Sequence, residues 1–225
     1  MDPLGMIWIL CGLTVLGIVM GVLQSRLKPP AGTRLPDDLK PNLASELAES
    51  RADIERIVGP STTQEGQANR FILRWLQILD LPFIVGYTLL FIALGRLEST
   101  RAFPGASVLG LAACGMALAT AVADLLEDAA ILRALGGREV SVRRFGVPKW
   151  LFFYMTPIGL SGLFFSYFFT REGAEHWLAL LIGILFVLVG LAGAAAVLLR
   201  RFRWIEWANK VVALSLVLLL VFLHL

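Results

Sequence analysis

Six long apolar segments run through this sequence of 225 residues, and they constrain its fold more than any other feature. They cover about 5–24, 75–95, 105–126, 150–170, 177–199 and 204–224, and a helix of about 20 apolar residues crosses ~30 Å of hydrocarbon. The segments lack the alternating pattern of outer-membrane barrel strands. Because 57% of the residues are hydrophobic and only 16% are charged, the apolar residues exceed what a water-soluble core holds. We therefore predict an all-α integral membrane bundle with six transmembrane helices.

The twenty Lys and Arg residues divide unevenly between the two sides of the predicted spans. Seventeen lie in three places: between spans 1 and 2, between spans 3 and 4, and around the start of span 6. The other side holds Arg96, Arg101 and Arg171. The positive-inside rule thus predicts both termini outside and three cytoplasmic connections. A cleaved signal peptide is not expected, since the basic residues follow the first apolar segment.

The connection over residues 25–74 is the only sizeable segment outside the predicted spans. After a proline-rich linker, Asn42 is expected to cap an amphipathic helix over 42–58, and Gly59-Pro60 to end it. One interpretation is that this cytoplasmic helix lies on the membrane surface or packs under the bundle. The alternative is a docking site for a protein partner. Residues 61–69 are expected to form a polar hinge before span 2.

Three carboxylates at the inner end of span 3 are the most unusual local feature. Asp124 is followed by Glu127 and Asp128, at the i,i+3 and i,i+4 spacings that place side chains on one helix face. Like charges at a helix C-terminal end oppose the macrodipole. Unless cations lie nearby, at least one of these carboxyl groups is expected to hold a proton.

Polar residues on three other spans fall at a similar depth, by counting along each helix. Asp80 lies about five residues into span 2 and Lys210 about six residues into span 6, with Tyr154 at the same level on span 4. Spans 2, 3, 4 and 6 are therefore predicted to form a polar pocket on the cytoplasmic side.

Two interpretations of these groups stay open at this point. In the first, Arg133 or the pair Arg143-Arg144 holds Glu127 and Asp128 at the headgroup layer, an arrangement that requires no function. Asp80, Asp124 and Lys210 are expected to lie deeper, where ionisable residues commonly mark functional pathways. The alternative for this trio is a structural lock between helices.

Known catalytic signatures are missing from the sequence. It has neither HExxH nor GxSxG, and its two histidines, His176 and His224, lie near the outer face, where a haem site is not expected. Acidic side chains suit divalent cations, but the sequence lacks a repeated acidic motif for diphosphates. We predict no metal, no cofactor and no nucleic-acid partner. The basic connections are expected to face membrane lipids.

Several of these residues form a pattern that resembles a group of uncharacterised bacterial polytopic membrane proteins. The pattern consists of Asp80-x-x-Phe-Ile-x-x-Tyr87, then Asp124-x-x-Glu127-Asp128, then a lysine in the last helix, here Lys210. The similar proteins often have Asn where this chain has Asp128. We predict that the chain lies in the bacterial cytoplasmic (inner) membrane. The resemblance implies that the residues of the pattern belong together. It implies no activity.

Three functional hypotheses follow from the sequence. The first is binding, with possible transport or modification, of an amphiphile or lipid whose polar or cationic head meets Asp80 and Asp124 while its tail lies among the apolar helices. The second is an accessory subunit of a larger membrane complex, with the 42–58 helix as its partner contact. The third is proton-coupled transport through Asp80, Asp124 and Lys210.

Overall fold

The computed structural model describes residues 3–33, 35, 39–100, 105–170 and 173–224. Within these ranges every regular element is a helix, and no strand is present. Eight helices occur in the described ranges: α1 (Pro3–Arg26), α2 (Pro41–Glu46), α3 (Arg51–Val58), α4 (Gln64–Ser99), α5 (Ala106–Leu135), α6 (Arg143–Thr170), α7 (Ala174–Leu198) and α8 (Arg203–His224). Of the basic residues that divide the two sides, Arg34, Arg101 and Arg171 lie outside the described residues.

Six of these helices, α1 and α4 to α8, are long and apolar enough to cross a membrane. Their number and order are as predicted, but three of them extend well beyond the apolar segments. α4 begins at Gln64 where a polar hinge was predicted, α5 continues to Leu135, and α6 begins at Arg143. The Thr63 hydroxyl accepts a hydrogen bond from the Gly66 N–H at 3.1 Å, which is N-cap geometry. Hydropathy detects only the apolar part of a helix, so it misses these polar extensions.

By its contacts the chain divides into two compact units. The first, here called the carboxylate unit, comprises residues 13–85 and 121–149. Its apolar core includes Leu27, Ile54, Leu73 and Ile131, which come from the end of α1 and from α3, α4 and α5. The segment between α1 and α4 is thus part of a packed core.

The single helix predicted over 42–58 is wrong, because the structure has two short helices with a break at 47–50. Ser50 causes the break: its side chain accepts from the Asp53 N–H while the Asp53 carboxylate accepts from the Ser50 N–H, a capping box that starts α3. Asn42 does not cap α2 either; Lys40 is the N-cap residue and Pro41 takes the first helical position. As predicted, Gly59 ends α3, with a φ of 84° that favours glycine.

Hydrogen bonds and buried apolar side chains fix α2 and α3 within the carboxylate unit. Ile54, Ile57 and Val58 are at most 2% exposed, so the apolar side of α3 is covered by this chain itself. The Arg143 N–H donates to the Ala48 carbonyl at 2.9 Å, and Asn69 Nδ2 donates to the Val58 carbonyl at 3.1 Å. This segment was predicted either to lie on the membrane surface or to pack under the bundle. Within the unit, it packs against the other helices.

The second unit, here called the aromatic unit, comprises the described parts of 1–12, 86–120 and 150–225. In it α7 packs against α8. Gly193 lets Tyr154 approach α7, since a Cβ at Gly193 would lie 2.3 Å from Tyr154 Cδ1. Tyr154 is fully buried and its hydroxyl donates to Asn209 Oδ1 at 2.7 Å. A large aromatic residue of α6 is thereby held between the last two helices.

Candidate carboxylate and lysine site

Three acidic side chains of α5 point into the carboxylate unit. Asp124, Glu127 and Asp128 are 6%, 1% and 4% exposed, because their i,i+3 and i,i+4 spacing places all three on the inward face of the helix. The neighbouring Leu125 and Leu126 are 44% and 45% exposed on the other face. The helix therefore has an acidic inner face and an apolar outer face at the same level.

Asp80 of α4 joins two of these carboxylates. One oxygen from each of Asp80, Asp124 and Asp128 lies within 4.8 Å of the others. Asp80 is only partly buried, and its neighbour Leu81 is 46% exposed. Asp80 is thus the member of the group nearest the outer surface of the unit.

The cation of the site is Lys149, in the second turn of α6. Its Nζ lies 2.8 Å from Glu127 Oε2, 3.0 Å from Asp124 Oδ1 and 3.0 Å from Glu46 Oε2. Only the Glu46 contact also has hydrogen-bond geometry. We treat the other two as ion pairs, because attraction between opposite charges depends on distance far more than on angle. An ammonium has three N–H donors, and three carboxylates surround this one.

Glu46 reaches Lys149 because a glycine opens α6 to α2. A Cβ at Gly146 would lie 2.3 Å from the Glu46 carbonyl oxygen and 3.4 Å from Glu127 Oε2. Asn42 Nδ2 also donates to Glu46 Oε1 at 2.8 Å. α2 therefore supplies the third carboxylate that contacts Lys149.

Negative charge exceeds positive charge in this group. The group contains five carboxyl groups (Glu46, Asp80, Asp124, Glu127 and Asp128) and one ammonium group, which three of them contact. Both oxygens of Asp128 are buried and have no hydrogen-bond partner in the part of the chain that the structure describes. A buried ion without a counter-charge costs several kcal/mol, so the group requires additional positive charge from protons or from a bound cation.

The interpretation in which Arg133 or the pair Arg143-Arg144 holds Glu127 and Asp128 is not supported by the described residues. Both carboxylates are buried, and Glu127 pairs with Lys149, whereas Arg143 pairs with Glu49. α6 begins seven residues before predicted span 4, and this extension carries Lys149 inside the unit. The sequence analysis counted Lys149 only among the basic residues of a connection.

Sequence reasoning therefore missed two residues of the site, Lys149 and Glu46. A signal for Lys149 was present, because it directly precedes Trp150 at the border of an apolar span. Nothing comparable in the sequence marked Glu46, because it lay on the polar side of the helix that was predicted over 42–58.

Three predicted site residues belong to the aromatic unit. Tyr154 bonds to Asn209, and Tyr87 is buried with its ring centroid 6.1 Å from that of Phe153. Lys210 is exposed on α8, and it has no ion pair with any carboxylate in the described part of the chain. Their roles stay predictions, whereas Asp80, Asp124, Glu127 and Asp128 are brought together within one unit.

Metal binding is the chemistry for which the site has suitable ligands. Carboxylate oxygens are the ligands that hard divalent cations prefer, and the Asp80, Asp124 and Asp128 oxygens are close enough to share one ion. No metal was predicted from the sequence, because it lacks a repeated acidic motif for diphosphates.

Comparison of the chain with protein-family models, with curated proteins and with solved structures found no match. The resemblance to bacterial polytopic membrane proteins therefore stays a prediction. The function must be argued from the geometry and charge of the site.

Proposed function

We propose that this protein is a multi-pass protein of the bacterial cytoplasmic membrane that binds an amphiphile at the carboxylate unit. The polar head of the ligand lies against Asp80 and the carboxylates behind it, and the tail lies along the apolar faces of α4 and α5. The observation that carries the proposal is the excess of buried carboxylate charge in a chain built from apolar helices.

The proposed topology has both termini outside and the basic connections in the cytoplasm. α4 has 36 residues and is about 54 Å long at 1.5 Å per residue, so it exceeds ~30 Å of hydrocarbon. Lys149 lies six residues after the start of α6, or about 9 Å along its axis. The site then lies close to the cytoplasmic border of the membrane, where the polar head of an amphiphile is stable.

Exposure along α4 and α5 supports entry from the lipid side. Ile78 and Leu81 flank Asp80 and are each 46% exposed, and Leu125 is 44% exposed next to buried Asp124. A ligand with an apolar tail can contact these side chains while its head reaches Asp80. A small hydrophilic solute would gain no favourable contact with these apolar side chains.

The test is native mass spectrometry of the gently extracted protein and of three variants. We expect a retained amphiphile in the wild type, and at least tenfold less in Asp80→Asn and Asp124→Asn. Glu65→Gln removes an exposed acid at the start of α4 and should retain it fully. Undiminished retention in both aspartate variants, even with altered thermal stability, would leave only a structural role for the cluster.

Proton-coupled transport is a second candidate, and the shortage of positive charge around Asp80 and Asp128 favours it. Protons are then the missing counter-charge, and they exchange as the protein works. Liposomes loaded with a pH-sensitive dye should show proton uptake that depends on an imposed gradient and that Asp124→Asn abolishes. Equal uptake by protein-free liposomes would exclude this candidate.

A further inference from the structure

The three clustered aspartates lie close enough together to share one ion. We propose that Asp80, Asp124 and Asp128 together bind one hard divalent cation, of the size of Ca²⁺ or Mg²⁺. Asp124 and Asp128 lie one turn apart on α5 and Asp80 faces them from α4, so two helix backbones hold the three ligands. This proposal does not depend on amphiphile binding.

The spacing of the carboxylate oxygens fits one ion. Two oxygens on opposite sides of an ion are separated by twice the metal–oxygen distance, or about 4.6 to 5.2 Å for Ca²⁺ and about 4.0 to 4.2 Å for Mg²⁺. The oxygens of Asp80, Asp124 and Asp128 all lie within 4.8 Å of one another. Three oxygens this close together can reach one ion with side-chain movements of less than about 1 Å, which are smaller for Ca²⁺ than for Mg²⁺.

Asp128 is independent evidence for a ligand. It is 4% exposed, and neither of its oxygens has a hydrogen-bond partner among the described residues, although buried polar groups are nearly always paired. One of these oxygens belongs to the three-aspartate group, so the side chain is directed into the site. A cation between the aspartates supplies the partner that the described residues lack.

Lys149 does not supply that positive charge. Its ammonium group contacts Glu46, Asp124 and Glu127, and neither Asp80 nor Asp128 lies within 4.0 Å of it. The site thus has two parts that share Asp124: a lysine part, in which one ammonium meets three carboxylates, and an aspartate part, in which Asp80 and Asp128 have no ion pair with a cation among the described residues. A divalent ion balances the second part better than a monovalent ion, because three carboxylates meet there.

Cation binding is tested on the full chain in detergent, stripped with EDTA and then titrated with CaCl₂ or MgCl₂. The readout is the melting temperature from tryptophan fluorescence. At a hundredfold excess over Kd, we expect the wild type to melt about 5 °C higher or more. Asp80→Asn and Asp128→Asn should lose this shift, while Glu65→Gln should keep it.

The aspartate variants also report on their own folding. Each removes one like charge from the cluster, so without cations it should melt at or above the wild-type temperature. If Asp128→Asn does not fold, the test rests on Asp80→Asn, because that position is partly exposed. This variant should also lose the cation-induced shift in melting temperature. A wild type unaffected by millimolar Ca²⁺ and Mg²⁺, or an aspartate variant that keeps the full shift, would overturn the proposal.

Two further measurements separate this proposal from amphiphile binding. Mn²⁺ added to the stripped protein should lose its free-ion electron paramagnetic resonance signal in proportion to the protein, and Asp128→Asn should restore that signal. Amphiphile retention is measured in EDTA. If amphiphile retention depends on Asp80 but cations do not shift the melting temperature, the metal site is overturned and the proposed function stands. If cations shift the melting temperature but no amphiphile is retained, the proposed function is overturned and the metal site stands.

Discussion

Lys149 Nζ lies 2.8 Å from Glu127 Oε2, and the two side chains are only 7% and 1% exposed. Such a pair contributes little net stability relative to an apolar replacement of both partners, but removing one partner is costly, because the other charge stays buried.

Lys149→Met is accordingly expected to destabilise the protein strongly. It leaves Glu46, Asp124 and Glu127 without their common cation, and we expect the free energy of unfolding to fall by about 3–5 kcal/mol. The measurement is unfolding in mixed micelles, followed by tryptophan fluorescence. Glu49→Gln is the control: the Glu49 side chain is 67% exposed in its pair with Arg143, so the change should be within about 0.5 kcal/mol. Similar losses in both variants would contradict a special role for Lys149.

Ser50→Ala is expected to loosen α3 without affecting the rest of the chain. The variant loses the side-chain half of the capping box with Asp53, which is worth about 1 kcal/mol. Hydrogen exchange of residues 51–58 should become about fivefold faster, which is that energy expressed as a rate ratio. Ser61→Ala, at an exposed position between α3 and α4, should leave the exchange unchanged. If it accelerates exchange as much as Ser50→Ala does, the cap is not the cause.

Gly193→Ala is expected to disturb the packing of Tyr154. The added Cβ would lie 2.3 to 2.6 Å from three ring atoms of Tyr154, a fully buried side chain that is hydrogen-bonded to Asn209. Overpacking of this kind costs about 1–3 kcal/mol. The matched control is Gly115→Ala, where no atom lies within 4 Å of the new Cβ and thermal stability should hold or rise slightly. The prediction fails if the two variants melt at the same temperature.

The proposed topology predicts opposite labelling at the two ends of α4. In a background without Cys11 and Cys114, a membrane-impermeant maleimide should label Thr100→Cys in intact cells. It should label Thr62→Cys only after lysis, since that position precedes α4 on the basic side. Both positions are exposed, so accessibility alone does not separate them. The reverse pattern would invert the topology.

Hydropathy was enough to predict the number and order of the long helices within the described residues, because apolar length is a property of each segment by itself. The grouping of Asp124, Glu127 and Asp128 was equally accessible, since helix periodicity fixes their relative directions.

Contacts between segments could not be predicted from the sequence in the same way. Counting residues gives the depth of Lys210 or Asp80 along a helix axis but not the direction in which the side chain points, which turns by about 100° per residue. This is why the sequence missed Lys149, which contacts Asp124 in the structure. The grouping of Asp80 and Asp124 with Lys210 stays a prediction. Glu46 was missed because a local capping box, not the apolar pattern, sets the break between α2 and α3.

The position of Lys149 in the chain has a consequence for biosynthesis. The ribosome makes Glu46, Asp80, Asp124 and Glu127 before Lys149, which follows Asp124 by 25 residues. In the proposed topology, α4 and α5 therefore enter the membrane before their cation exists, although intramembrane ionisable residues are costly without a partner. The lysine contacts form only after α6 has been made, and α7 and α8 follow it.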